Sequence, residues 1–379
     1  MTDPAGGGWT GRVATGLLVL ALAAACAPGP PPAPPGPPGS EGADFLAGYH
    51  PWWALTGEAR YPLEALDHLF LFEVEAGPDG EWRDLHGWPT AWAEGGEGVA
   101  ARARRAGVPI ALTVTAHEPG AFETIFKDPA RTDRLMERVL EAVTALPGTG
   151  VHLDLEVFDP VAPAARDGYT AFVAEVARRL RARDPGAGLT VFVPAFDDAD
   201  AYNERALAAV ADYLVVQGYD LHHQTDERAG PVAALRGWGR LNWGEVVERY
   251  RALGVPSGRI VMAAPLYGYE WPTESDEPGA ATRGPGVPVP LDAPEGVLTG
   301  APRARAQAER HGARRDPESG SPWYAYRDAE GGWIQGWYDD ARSLAEKLAF
   351  VREAGLGGLA LFPLSYGTDA VWAELRPRH

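Results

Sequence analysis

His152, Asp154 and Glu156 recur at two-residue spacing inside the apolar run GVHLDLEVF (150–158). In a strand, alternation puts these three side chains on one face and Val151, Leu153, Leu155 and Val157 on the other. Burying two neighbouring carboxylates is costly, and the cost falls when one keeps a proton near neutral pH. A carboxylic acid still protonated there is what general acid catalysis requires. Glu156, nearest the end of the run, is the candidate acid. The same string is also what a core strand with salt-bridged carboxylates would show, so the spacing alone leaves both readings open.

Such a strand needs a frame. Short apolar runs recur at 45–49, 66–74, 108–116, 150–158, 189–196, 211–219, 259–269 and 356–364. Helix-like stretches separate them, at 133–146, 169–183, 242–254 and 340–355 among others, several of them ending in glycine. Eight buried-type strands alternating with helices predict an α/β fold, a (β/α)8 TIM barrel. An open doubly wound sheet is the alternative, but no glycine-rich phosphate loop follows any run. Residues 271–335, rich in Gly, Pro and charge, break the rhythm between strands 7 and 8. They predict a small α+β insertion, with a hairpin in the aromatic stretch 323–340, overhanging the face where barrels keep their sites.

The 379 residues carry 34 basic and 52 acidic side chains, a net charge of −18. No basic stripe is present, which argues against a nucleic-acid partner. Thirteen Trp and thirteen Tyr offer flat faces for sugar rings, although cores use them too. At the N-terminus, Arg12 and an apolar run from Val13 to Ala25 fit a signal peptide. Cys26 is the single cysteine, so it has no disulfide partner within the chain. Its setting resembles a bacterial lipoprotein processing site, with Ala23 where a large aliphatic residue is usual. Ordinary cleavage after Ala-x-Ala is the other reading. The expected layout is a signal segment (1–26), a Pro/Gly tether (27–43) and a barrel (44–379) in an exported, monomeric protein that touches membrane only through lipid on Cys26.

Aligned at its end, the segment Thr149 to Glu156 resembles the Asp-x-x-Asp-x-Asp-x-Glu signature of glycoside hydrolase family 18. Asp154 and Glu156 match; Thr149 and His152 stand where the family has Asp. GYHPWW (48–53), VVQGYDLHH (215–223), MAAPLYGYEW (262–271) and the block 322–358 resemble further family segments in order and spacing, and the last is similar to the spore-cortex-lytic branch. Phe362 replaces the Trp that usually floors the reacting subsite. The resemblance implies Glu156 as acid then base, Asp154 orienting the substrate's N-acetyl group, and Tyr219 donating a hydrogen bond to its oxygen. It makes Tyr49, His152, Gln217, Asp220, Tyr267, Trp337 and Phe362 candidate sugar contacts. It implies retaining, substrate-assisted cleavage of N-acetylglucosamine-containing polysaccharide, with peptidoglycan favoured over chitin and no metal or cofactor. Two rivals are a family-18 barrel that only binds sugar and a barrel hydrolase pairing Glu156 with Asp220. For Trp52, Trp53, Trp82, Trp88 and Trp92, packing explains the residues as well as a glycan cleft does. His117 and Glu118 read as loop contacts at the mouth, and Asp339 and Asp340 as caps of the helix that follows.

Overall fold

The computed structural model describes residues 45–54, 61–93, 97–293 and 302–375. Cys26 and the tether lie outside them. Eight parallel strands carry the fold: β1 (Phe45–Pro51), β2 (His68–Ala76), β3 (Ile110–Thr115), β4 (Thr149–Asp154), β5 (Leu189–Val193), β6 (Tyr213–Gln217), β7 (Ile260–Pro265) and β8 (Gly358–Phe362). Each pairs with its successor, and β8 returns to β1, which closes the barrel.

Strand alternation sorts the apolar residues into two layers. Val151, Leu153 and Leu155 of the β4 segment join Leu112, Val191 and Met262 in the outer layer, packed against residues of the surrounding helices such as Leu135 and Phe172. Tyr49, Phe70, Phe192, Val215, Val261 and Ala360 form the inner one. Helices include Pro129–Ala145, Pro163–Arg183, Trp243–Ala252 and Ala341–Glu353. The last two run into Gly254 and Gly355, whose φ values of 84° and 60° let the chain leave the helix through the left-handed region.

One strand departs from strict alternation. β2 pairs Leu71 with Leu112 and then Val74 with Val114, so Phe72 and Glu73 together stand opposite Thr113. The extra residue is a bulge. The outer layer accordingly runs Leu69, Leu71, then Val74, Ala76. Beyond the bulge, odd-numbered positions turn inward and carry Glu73, only 6% exposed, with them.

Between β7 and β8 the chain builds a five-stranded antiparallel sheet from Tyr267–Thr273, Val287–Pro290, Arg314–Arg315, Pro322–Arg327 and Trp333–Trp337, with helix Ala304–His311. The hairpin expected within 323–340 is one part of it. Its alternating aromatics serve two faces: Trp323 stacks on Trp337 at 5.2 Å, while the Tyr324 hydroxyl donates to Glu270 at 2.9 Å.

The sheet leads back to the barrel through Asp339 and Asp340, and only one of the two caps the helix. Asp340 forms a reciprocal box with Ser343. Asp339 instead meets Lys347 at 2.6 Å, with both side chains buried. Removing one member of a buried pair strands the other charge. Lys347→Met should therefore lower stability by about 3–5 kcal/mol in urea unfolding. Asp339→Asn/Lys347→Met should recover much of that loss; an equal loss in both variants would mean that the charges are not the cause.

Candidate active site

The strand ends and their loops enclose a cleft of about 760 Å³. β4 delivers Asp154 and Glu156 to it, the β6 segment Gln217, Tyr219 and Asp220, the start of the insertion Tyr267, and β8 Phe362. Phe362 lies nearly parallel to Tyr219 (6.0 Å between centroids) and edge-on to Phe72 (5.3 Å), so the three form one apolar surface in the cleft. Asp220 accepts hydrogen bonds from Tyr267 at 2.7 Å and Tyr269 at 3.1 Å.

Burial is the main cause that lifts Glu156 to about 7; His117 opposes it, and Asp220 and Glu73 add to it. Asp154 is pushed well above the ordinary carboxylate range by burial, then by the charges of Glu156 and Glu73. Its Oδ1 is buried without a hydrogen-bond partner among the described residues. Two interacting carboxyls with raised affinity for protons hold at least one between them at neutral pH. An unpaired buried oxygen beside them is a costly feature that a ligand group can relieve.

His152 sits among these groups in sequence but not in the cleft. It is fully buried, stacked on Phe70 at 4.3 Å, with Nε2 2.9 Å from the Tyr49 hydroxyl and Nδ1 2.8 Å from Thr190 Oγ1. Burial lowers it to about 3, so the imidazole is neutral. Both ring nitrogens are taken, which leaves none for Asp154. Tyr49 is likewise buried and lies outside the cleft lining. Trp337 is fully buried between Trp323 and Trp238. These three positions, expected as sugar contacts, are buried and are not among the described residues that line the cleft. Gln217, Asp220, Tyr267 and Phe362 do face the cleft.

Of the tryptophans, Trp88 and Trp92 are core, Trp52 stacks on His86 at 4.4 Å, and none of the five lines the cleft. Sequence reasoning passed over Glu73, Phe72, Phe158, Phe196 and Arg240. Glu73 binds His117, with 2.9 Å between Oε2 and Nε2, and that bond raises the imidazole's affinity for its proton. Its one signal in the sequence was a charge directly after the apolar run Leu69–Phe72.

A closed (β/α)8 barrel that holds such a carboxyl pair and tyrosines in one cleft at its strand ends has the frame of a barrel glycosidase. The chain belongs to the glycosyl hydrolases family 18, whose model matches residues 85–367. It is 25% identical over 324 residues to the cortical fragment-lytic enzyme of Bacillus anthracis, covering 82% of this chain and 67% of that one. It is 27% identical over 249 residues to di-N-acetylchitobiase of Rattus norvegicus, covering 60% and 67%. Its fold matches a family GH18 chitinase of Cycas revoluta, solved as a mutant in complex with (GlcNAc)4, at a TM-score of 0.71 and 20% identity over 87% of this chain and 98% of that one.

An acid that must be protonated in the free enzyme gives an activity that falls as pH rises through its pKa. The alkaline limb of kcat/KM should therefore centre near the value of about 7 held by Glu156. Protonated His117 lowers that value, so His117→Gln should move the limb to higher pH. A limb that stays put or moves down would show that the imidazolium does not act on the acid.

Proposed function

We propose that the chain is a retaining glycoside hydrolase that cleaves β-linked N-acetylglucosamine glycans with help from the substrate's own N-acetyl group. The observation that carries this is the pairing of Glu156, held near 7, with a buried Asp154 whose Oδ1 lacks a partner among the described residues. Glu156 gives its proton to the glycosidic oxygen as the bond from C1 to that oxygen breaks. The acetamide oxygen attacks C1 from the opposite face, which makes a cationic oxazolinium ring. With the pair's proton on Glu156, Asp154 is the ionised partner: its Oδ1 accepts the acetamide N–H and its charge offsets the developing positive charge. Tyr219, whose proton is held firmly by burial, donates to the acetamide oxygen and fixes the attack geometry. Glu156, now ionised, takes a proton from the water that opens the ring, and the sugar leaves with its configuration kept.

Bacterial cell-wall glycan is the favoured polymer. The likeness to a cortical fragment-lytic enzyme supports it, as does Phe362 in place of a larger floor residue. Export and acylation of Cys26 belong to the same proposal; Cys26→Ser should then release the protein from the membrane fraction, and unchanged partitioning would refute the anchor. The activity is tested by proton NMR of products from an N-acetylglucosamine tetramer. The β-anomer should form first, and tetramer lacking the N-acetyl groups should not be cleaved. Initial α-anomer, or cleavage of both tetramers, would overturn the mechanism.

A further inference from the structure

The charged residues around the cleft are nearly all of one sign. Asp154, Glu156, Asp198, Asp220 and Asp226 line it, and Arg240 is the one Lys or Arg among the described lining residues. Its guanidinium lies over the Phe196 ring, 4.8 Å from the centroid, and Phe196 faces the same cleft. The flat cation is thereby preset on an apolar wall. The nearest carboxylate, Asp198, is 3.8 Å away, and both side chains are largely exposed, at 65% and 76%. So loose a pair in water holds little, and a ligand carboxylate can replace it.

Arg240 follows a strained backbone segment whose Trp238 packs edge-on against His222 and Trp337. Gly237, Trp238 and Gly239 have φ values of 70°, 58° and 65°, three left-handed residues in a row. For a residue as bulky as Trp238 this conformation is strained. It is held by the indole N–H donating to Asp316 at 3.0 Å and by Asn242 Nδ2 donating to the carbonyls of Gly237 and Gly239 at 2.8 and 2.9 Å. Strain kept in place so firmly is characteristic of ligand clamps. Phe158, two residues after the acid, also lines the cleft and is 84% exposed, an open face for a sugar ring.

We propose that Arg240 is a carboxylate-reading residue that binds the acidic lactyl ether of an N-acetylmuramic acid unit while the glycan lies across Phe196 and Phe158. This rests on the glycosidase reading and names the substrate feature that sets cell-wall glycan apart from chitin. In a cleft otherwise lined by acids, Arg240 is the one Lys or Arg among the described lining residues that an anionic sugar can meet.

The test measures binding in the Glu156→Gln background, so that turnover does not consume the ligands. Three tetrasaccharides serve as probes: the N-acetylglucosamine tetramer, a peptide-free tetramer alternating N-acetylglucosamine with N-acetylmuramic acid, and the latter with its lactyl acids converted to methylamides. Adding Arg240→Met, which keeps the apolar stem on Phe196, should weaken binding of the acidic tetramer about tenfold or more at low salt. The other two ligands should bind unchanged, and Arg240→Lys should recover part of the loss. Equal weakening of all three, or no weakening of the acidic one, overturns the role of Arg240. The parent enzyme's turnover of the N-acetylglucosamine tetramer tests the glycosidase reading separately, since the binding comparison does not depend on it.

Discussion

Glu156→Gln is expected to fold as the parent does and to lose at least about 10³-fold in kcat, because glutamine has the shape of the acid without its proton. Retention of more than about a tenth of the parent rate would remove Glu156 from the mechanism. Stability gives a second reading of the same side chain. Its pKa is raised on folding from 4.5 to about 7, mainly by burial. A group raised in this way favours the fold below its unfolded value and loses that contribution as pH rises through the folded one. Above about 7 the folded protein carries an ionised carboxylate that it holds poorly. Glutamine avoids this, so the variant's Tm relative to the parent should be higher at pH 8 than at pH 4. The reverse order would mean that the carboxylate is stabilised in place, which a general acid poised near neutrality is not.

Asp154→Asn should cost about 10²-fold or more in kcat with little change in KM, since the negative charge matters most once the intermediate is cationic. Two features make this more than a packing change. Asp154 Oδ1 is buried without a described partner, so asparagine breaks no existing hydrogen bond there. The proton that the carboxyl pair holds would also have one site instead of two. The loss should be confined to substrates with an N-acetyl group. An equal loss on any activity toward substrates lacking one would assign Asp154 to general charge balance. A KM effect with kcat unchanged would assign it to uniform binding.

The contrast between β4 and β2 marks how far local pattern reaches. On β4 the period of two is unbroken, so the sequence alone put Asp154 and Glu156 on the inner face and Val151, Leu153 and Leu155 on the outer one. The eight strands, the helices between them and the interruption before β8 were legible for the same reason: each leaves its own apolar period or turn chemistry in the chain. On β2 one extra residue between Leu71 and Val74 reverses the parity and turns Glu73 toward Asp154 and Glu156. A bulge leaves no mark that residue types alone report.

The roles of individual side chains followed the same division. His152 reads as a third ionisable group beside the acids, yet burial keeps it neutral and its ring nitrogens are held by Tyr49, 103 residues earlier, and Thr190, 38 residues later. Those contacts exist only once β1 and β5 take their places around β4. Trp337 offers sugar-binding chemistry by type, but the insertion's sheet closes over it, while Arg240, an ordinary charge in sequence, is carried to the cleft by a strained turn. The sequence determined which elements form and which faces they bury, because periodicity is local. Barrel closure decided which residues meet, and with it which carboxyls keep their protons, because burial and neighbouring charge come from strands distant in the chain.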